Sequence, residues 1–497
     1  METVLGIDLG TSSVKALLVG ADGQLFGEAR AAVASVHAHP GWSEQSPETW
    51  WRALAGAVGR LASEHAGALG ACRAVGVSGQ MHGSVLLDAA GRVLRPAILW
   101  NDSRSAPECE AVMRELGLAR LLELAGNRAF PGFTAPKIRW LRRHEPAVLG
   151  RTAHLLLPKD FLVWRLTGGL ATDVSDASGT LLLDIGRRCW SAELCSVFGA
   201  DPAWLPPVRE SSDVVGAVRA GLDLEGLPAG IPVVAGAGDQ AAAAVGVGVV
   251  RPGETSVCLG SSGVVFVQTD AYRPDPAGVL HAFCHAAPAA WHLMGVMLSA
   301  GSALEWFATT FPPPTSRRGA DPQSPVQHVT RLAADAEPGA RGVLFLPYLA
   351  GERCPHPDPT ARATFHGMTL GTDYADLARA VVEGIVVGLA ECADRVRAAG
   401  ADLRRVRVTG GATRSPLLMG LLASALGCPV ETAAIDEGSA YGAALLAGLA
   451  AGWAPAVDSM AARWQRPGEP FHPRDRESAA LEQVKARRLA LYRGIRG

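Results

Sequence analysis

At 497 residues the chain exceeds the roughly 250 to 300 at which a single hydrophobic core stops growing, so two domains or more are expected. Hydrophobic residues make up 48%, and 46 basic side chains against 48 acidic ones leave a formal net charge of −2 with no extended basic run. That balance excludes a nucleic-acid-binding surface and a polyanionic tail and leaves a packed protein that handles small molecules.

The N-terminal METVLGIDLG lacks the basic flank and apolar core of a signal peptide and leads straight into a strand. The nine cysteines are scattered without a Cys-x-x-Cys pair, which points to reduced thiols in a cytoplasmic setting. Residues 3 to 30 alternate as strands do, with turns at Gly10-Thr11-Ser12 and Asp22-Gly23, and predict an antiparallel meander. Its first turn, from Asp8 to Lys15, brings an acid, a glycine, three hydroxyls and a lysine together. Amides and hydroxyls of such a turn can cradle phosphate oxygens, and the acid can hold magnesium through water; a polar hairpin is the alternative.

Ser46-Pro47-Glu48-Thr49 has the composition of a helix start, and the helix should run to about His65. A buried strand over Ala74 to Ser78 then ends in Gly79-Gln80-Met81-His82-Gly83, where bare glycines leave Met81 and His82 open to a small polyol; a structural role for the lone histidine is the alternative. Asn101, Asp102 and Arg104 cluster in a loop before a helix, suited to hydroxyl recognition or to capping by Asp102 or Ser105. Thr134 to Leu149 reads as an amphipathic helix whose basic residues Lys137, Arg139, Arg142 and Arg143 form a solvated face opposite Trp140.

Residues 232 to 250 place one acidic side chain, Asp239, among nearly twenty apolar or small residues, after a strand, between glycines and before an Ala-rich helix. A carboxylate held there on a rigid element could act as a general base, or could simply cap the helix. Leu259-Gly260-Ser261-Ser262-Gly263-Val264 then repeats the pattern of Leu9 to Val14, offset by 250 positions, which suggests two related domains presenting facing phosphate turns. His281, His285 and His292 with Cys284 offer a weak zinc pattern that Pro288 interrupts. Residues 311 to 325 form a Pro-rich surface loop, Leu377 to Ala399 a long helix, and Val406 to Val408 a strand ending in Gly410-Gly411-Ala412, where a base or phosphate can lie on bare backbone. The twenty uncharged residues 438 to 457 match a membrane span in length, but their Ala and Gly content and Pro455 indicate a close-packed core helix.

These stretches together resemble the FGGY carbohydrate kinases: GIDLGTSSVK (6 to 15), GWSEQSPETWW (41 to 51), GQMHG (79 to 83), LRPAILWND (94 to 102), PGFTAPK (131 to 137), LLLPKD (155 to 160), TDVSDASGT (172 to 180), AGAGDQAA (235 to 242), LGSSGV (259 to 264), FLPYLAGER (345 to 353) and GGATRS (410 to 415). The resemblance implies an α/β, actin-like ATPase fold of two ribonuclease-H-like domains, 1–243 for the sugar and the base and 244–497 for ATP, with the nucleotide in the cleft between them. It implies Asp239 as the base and Asp8 beside magnesium and phosphates. Trp42, Met81, His82, Asn101 and Asp102 fall at the sugar, and Thr11, Ser12, Lys15, Gly260, Ser261, Gly410 and Gly411 at ATP. Ser261 stands where the family usually has threonine, and Ala412 where it has a third glycine. The activity implied is ATP- and Mg2+-dependent phosphorylation of the terminal hydroxyl of D-xylulose, with another polyol such as ribulose or glycerol, or a non-metabolic actin-like ATPase, as the alternatives. Expected partners are a sugar, ATP and a second copy in a homodimer, without nucleic acid or membrane.

Overall fold

The computed structural model describes residues 2–312, 324–433, 437–466 and 468–496. The N-terminal run forms the expected antiparallel meander of Thr3–Leu9, Ser13–Gly20 and Leu25–Ala32, its first two strands buried almost throughout. Cys72–Gly79 joins it in parallel along Thr3–Leu9, followed outward by Pro232–Val234 and the antiparallel Val214–Ala217. A second sheet repeats the plan. Glu254–Leu259, Gly263–Thr269, Trp291–Met297 and His281–Cys284 run antiparallel in succession, and Arg405–Gly410 lies parallel to Glu254–Leu259.

The short sequence echo is therefore a structural repeat. In the first sheet Leu9 pairs with Val14 and, across the parallel neighbour, with Gly79; in the second, Leu259 pairs with Gly263 and Gly410. Each central strand thus delivers a Gly-hydroxyl turn beside the tip of a parallel strand.

Two small-residue helices, Asp239–Gly246 and Gly438–Ala450, cross between these sheets. They touch at backbone distance: a Cβ on Gly442 would fall 1.8 Å from the carbonyl oxygen of Ala242. The uncharged stretch that matches a span in length is thus a packed helix lying on the first sheet, and among the described residues no helix is long and apolar enough to cross a membrane.

Helix boundaries follow local chemistry, with exceptions. Ser415 caps Pro416–Leu426 by accepting from the Leu418 amide, and Asp373 with Asp376 caps Tyr374–Ala398 reciprocally. Ser46 begins Pro47–Glu64 without a side-chain capping bond. The basic helix stops at His144 and a separate turn takes up Pro146–Leu149. Lys137 is not on its solvated face: the side chain is fully buried, with Nζ donating to the carbonyls of His82 at 2.8 Å and Ile98 at 3.2 Å. His281 and His292 sit on strands, and no group of three or more His, Cys, Asp or Glu side chains is arranged to hold a metal ion among the described residues. Most of the Pro-rich stretch 311–325 lies outside the described residues.

Candidate active site

Ala237–Gly238 runs parallel to the end of Cys72–Gly79, with Gly238 opposite Gly79, and the chain turns there into the helix that Asp239 opens. The capping position belongs to Gly238, which has no side chain to cap with. Asp239 is already helical, and its carboxylate accepts a 2.7 Å bond from the next amide, Gln240. The capping alternative therefore falls, and the carboxylate is left facing the cleft. Burial, followed by the negative charge of Asp8, pushes its pKa from 3.8 to about 7, within reach of a proton-accepting role near neutrality.

Asp8 lies near the tip of Thr3–Leu9, opposite Ser78, whose hydroxyl donates to it at 2.9 Å. Burial raises its pKa, against hydrogen bonds from Ser439 and Ser78 and the more distant charges of Lys15 and Arg30. Two carboxylates that each resist ionisation suit a divalent cation nearby. Asp8 and Asp239 are the oxygen donors that such an ion would find here.

A buried ionic network supports the segment before Asp239. Lys159, fully buried, lies 2.6 Å from Asp160, 2.9 Å from Asp173 and 3.8 Å from Asp176. Asp173 accepts from the hydroxyls of Ser175 at 2.5 Å and Ser211 at 2.8 Å, and Ser175 Oγ in turn accepts from the Gly238 amide at 3.0 Å. The residue immediately before Asp239 is thereby fixed by a charge-backed chain. Burial pushes the Asp176 carboxyl well above its usual range, against the charge of Lys159. The stretch TDVSDASGT thus buttresses the backbone beside Asp239.

In front of Asp239 is a cavity of about 430 Å³ lined by Met81, His82, Trp100, Asn101, Phe133 and Gln240 from the first half and by Ser262, His281, Phe283 and Arg353 from the second. His82 has a left-handed backbone, φ 71°, unusual for a residue with a side chain. Its Nδ1 lies 2.6 Å from the carbonyl of Gly179; a carbonyl only accepts, so Nδ1 carries the proton and Nε2 is an acceptor. Burial lowers its pKa to about 3, so the ring is neutral. Asn101 and Asp102 also line the cavity, but the Asp102 carboxylate is occupied by Arg104, at 2.7 and 2.9 Å, and by the Ser43 amide at 2.6 Å. Trp42 is outside this cavity, in a shallow depression, with the Arg104 guanidinium 3.6 Å from its ring centre.

Gly260, Ser261 and Gly411 meet in a second cavity of about 320 Å³ together with Glu305, Gln327, Arg414 and Ser415. Gly410 holds φ 85°, and a Cβ there would fall 2.4 Å from the Leu259 carbonyl, so only glycine lets the strand end turn so close to its neighbour. The turn 260–262 is shared: Ser261 borders this cavity and Ser262 the other. Across from it, the turn at Thr11 is fixed by side chains that its own motif does not reveal. Gln45 donates to the Thr11 carbonyl at 2.6 Å, Trp100 to the Thr11 hydroxyl at 2.9 Å, and that hydroxyl to Gln80 at 3.2 Å. Ser12 remains exposed, whereas Lys15 is buried and paired with Glu437, away from the nucleotide role expected for it. His281 and Phe283 lie on a strand of the second sheet and Arg353 in a loop whose Cys354 amide donates to the Val296 carbonyl at 3.1 Å, so their meeting in this cavity is invisible in the sequence.

Two lobes built on one plan, an acceptor cavity with a carboxylate of raised proton affinity, and a second cavity sharing its turn define a phosphotransferase that moves a phosphoryl group to a small hydroxylated acceptor. Models of the N-terminal and C-terminal domains of the FGGY family of carbohydrate kinases match residues 3–246 and 255–451, and the chain belongs to that family. It is a sugar kinase. It is 42% identical over 448 residues to the xylulose kinase of Escherichia coli, covering 90% of each chain, and 36% identical over 475 residues to that of Bacillus subtilis, covering 95% and 93%. It superimposes on a xyloylose kinase from Brucella ovis with a TM-score of 0.93 at 39% identity, and on the xylulose kinase of Rhodospirillum rubrum with 0.91 at 30%, each covering 100% of this chain and 99% of the other.

Proposed function

We propose that the enzyme transfers the γ-phosphoryl group of ATP to the terminal hydroxyl of D-xylulose, yielding D-xylulose 5-phosphate and ADP. What carries the reading is the shared turn 260–262, which puts an acceptor cavity containing Asp239 beside a nucleotide cavity closed by Gly411; the relatives' activity supplies the substrate. In this scheme the sugar and base belong to 1–243 and the nucleotide contacts chiefly to 244–497.

Asp239 accepts the proton of the sugar hydroxyl as that oxygen bonds to the γ-phosphorus and the bond to the ADP oxygen breaks. The ionised base is in place only above a pH near 7, the value set by burial and Asp8. The backbone of the turns at Thr11-Ser12 and Gly260-Ser261, with Gly410-Gly411, orients the phosphates, so positioning and charge neutralisation supply most of the rate. Magnesium, when bound with ATP, neutralises phosphate charge, and Asp8 would hold it through water. The nine cysteines, none of them in a disulfide among the described residues, support a reducing, cytoplasmic setting.

ADP release coupled to a reporter reaction, measured with xylulose, ribulose, hexuloses and glycerol, tests the reading. Xylulose should give the highest kcat/KM. Preference for glycerol or ribulose would reassign the substrate, and ADP release indifferent to sugar would remove the kinase mechanism.

A further inference from the structure

The base and His82 account for one wall of the sugar cavity and leave the wall from the second half without a task. Arg353 is the one cationic side chain lining that cavity among the described residues. There its guanidinium meets no carboxylate: the adjacent Glu352 turns its Oε1 to the amides of Leu298 and Arg353 itself, each at 2.8 Å. Arg353 instead lies 5.5 Å over the ring of Phe130 and reaches His281 Nε2 at 3.5 Å, the long limit of a hydrogen bond. A half-buried guanidinium with such weak partners retains donors for a ligand.

His281 has its hydrogen-bonding role fixed. Asn127 donates through Nδ2 to the carbonyls of Ala125 and Ala282, both at 2.9 Å, so its Oδ1 is an acceptor. That oxygen lies 2.7 Å from His281 Nδ1, which must therefore carry the proton and leave Nε2 as an acceptor. The rings of His82 and His281 pack around Phe133, with centroids 4.4 and 6.1 Å from it. The cavity thus sets one side chain that can only donate beside two imidazole nitrogens that can only accept. An open-chain ketose is complementary: its carbonyl oxygen only accepts, and the hydroxyls flanking it can donate.

We propose that Arg353 donates to the carbonyl oxygen of the ketose while His281 Nε2 accepts from a neighbouring hydroxyl, making this wall the reader of the sugar's unreacting end. The assignment rests on the ketose-kinase reading of the cavity. A site built to hydrogen-bond a substrate oxygen discriminates against the analogue lacking it, because its own buried groups are then left unpaired.

The test compares kcat/KM for D-xylulose and for its analogue with CH2 in place of the carbonyl, in the wild type, Arg353→Met and Arg353→Lys. The wild type should prefer the ketose by about 10- to 100-fold, the range of a charged hydrogen bond. Arg353→Met should lower kcat/KM for the ketose by a similar factor, leave the KM for ATP unchanged and bring the ratio of the two substrates close to one. Arg353→Lys should restore part of that ratio, and it carries the comparison if the methionine variant melts below the assay temperature. A wild type that phosphorylates no ketose overturns the function itself. A wild type that does so, with variants that keep its ratio, overturns the role of Arg353 alone.

Discussion

Replacing Asp239 by Asn separates chemistry from architecture at the centre of the site. Asn keeps the shape and can accept the same bond from the Gln240 amide, but it cannot take a proton. Burial and Asp8 raise the pKa from 3.8 to about 7, which at pH 8 costs the folded state up to roughly 4 kcal/mol through the ionised carboxylate. Water in the cleft reduces this, so about 1 to 3 kcal/mol should be recovered in Asp239→Asn, less ~0.5 kcal/mol for losing a negative charge at a helix start. The sign follows from the direction of the shift. Below pH 4 the group is protonated folded and unfolded and the cost vanishes; it grows as pH rises through 3.8 and is complete above 7. For 497 residues, an unfolding entropy of about 2.1 cal/mol/K per residue makes 1 kcal/mol roughly 1 °C. Thermal melts should therefore show the variant equal to the wild type or up to a few degrees higher at pH 8, and indistinguishable near pH 4. Coupled ADP production should fall about 100- to 10,000-fold, and the wild type's kcat should rise with pH along a limb near 7 that the variant lacks. Retained turnover, or lost turnover with a matching drop in Tm at pH 8, would refute the assignment of Asp239 as base.

Asp8→Ala should abolish turnover with every sugar while the protein stays folded, since a carboxylate whose pKa is raised contributes little to stability when ionised; loss of folding in a melt would make Asp8 structural. His82→Asn, which tolerates the left-handed backbone, should weaken sugar use by about 1 to 3 kcal/mol in kcat/KM with ATP binding intact; unchanged xylulose kinetics would make His82 structural. Ser175→Ala should lower kcat about tenfold without changing the KM for ATP by releasing the Gly238 amide, and kinetics identical to wild type would show that the network does not position the base. Gly442→Ala, whose Cβ would meet the Ala242 carbonyl at 1.8 Å, should destabilise by several kcal/mol or part the crossed helices; an unchanged Tm would contradict their close contact.

Local physics made much of this protein legible in its sequence. Alternating apolar residues announced the first meander, the Leu-Gly-hydroxyl echo announced the repeat, and an isolated carboxylate among glycines marked Asp239, because each signal depends on neighbours a few positions away. Tertiary structure alone decided the rest. Lys137 belongs to a basic run, yet it is buried because carbonyls of His82 and Ile98, far away in the chain, converge on its ammonium. Lys15 sits in the phosphate-like turn, yet Glu437, more than four hundred positions on, takes its charge. Which residue caps the helix was undetermined until Gly238 took that position, and the raised proton affinity of Asp239 depends on burial and on Asp8, far away in the chain. His281 and Arg353 have no local mark of a place in the cavity at all: strand pairing in the second sheet positions His281, and a loop docked through the Cys354 amide on the Val296 carbonyl positions Arg353, and composition and spacing encode neither.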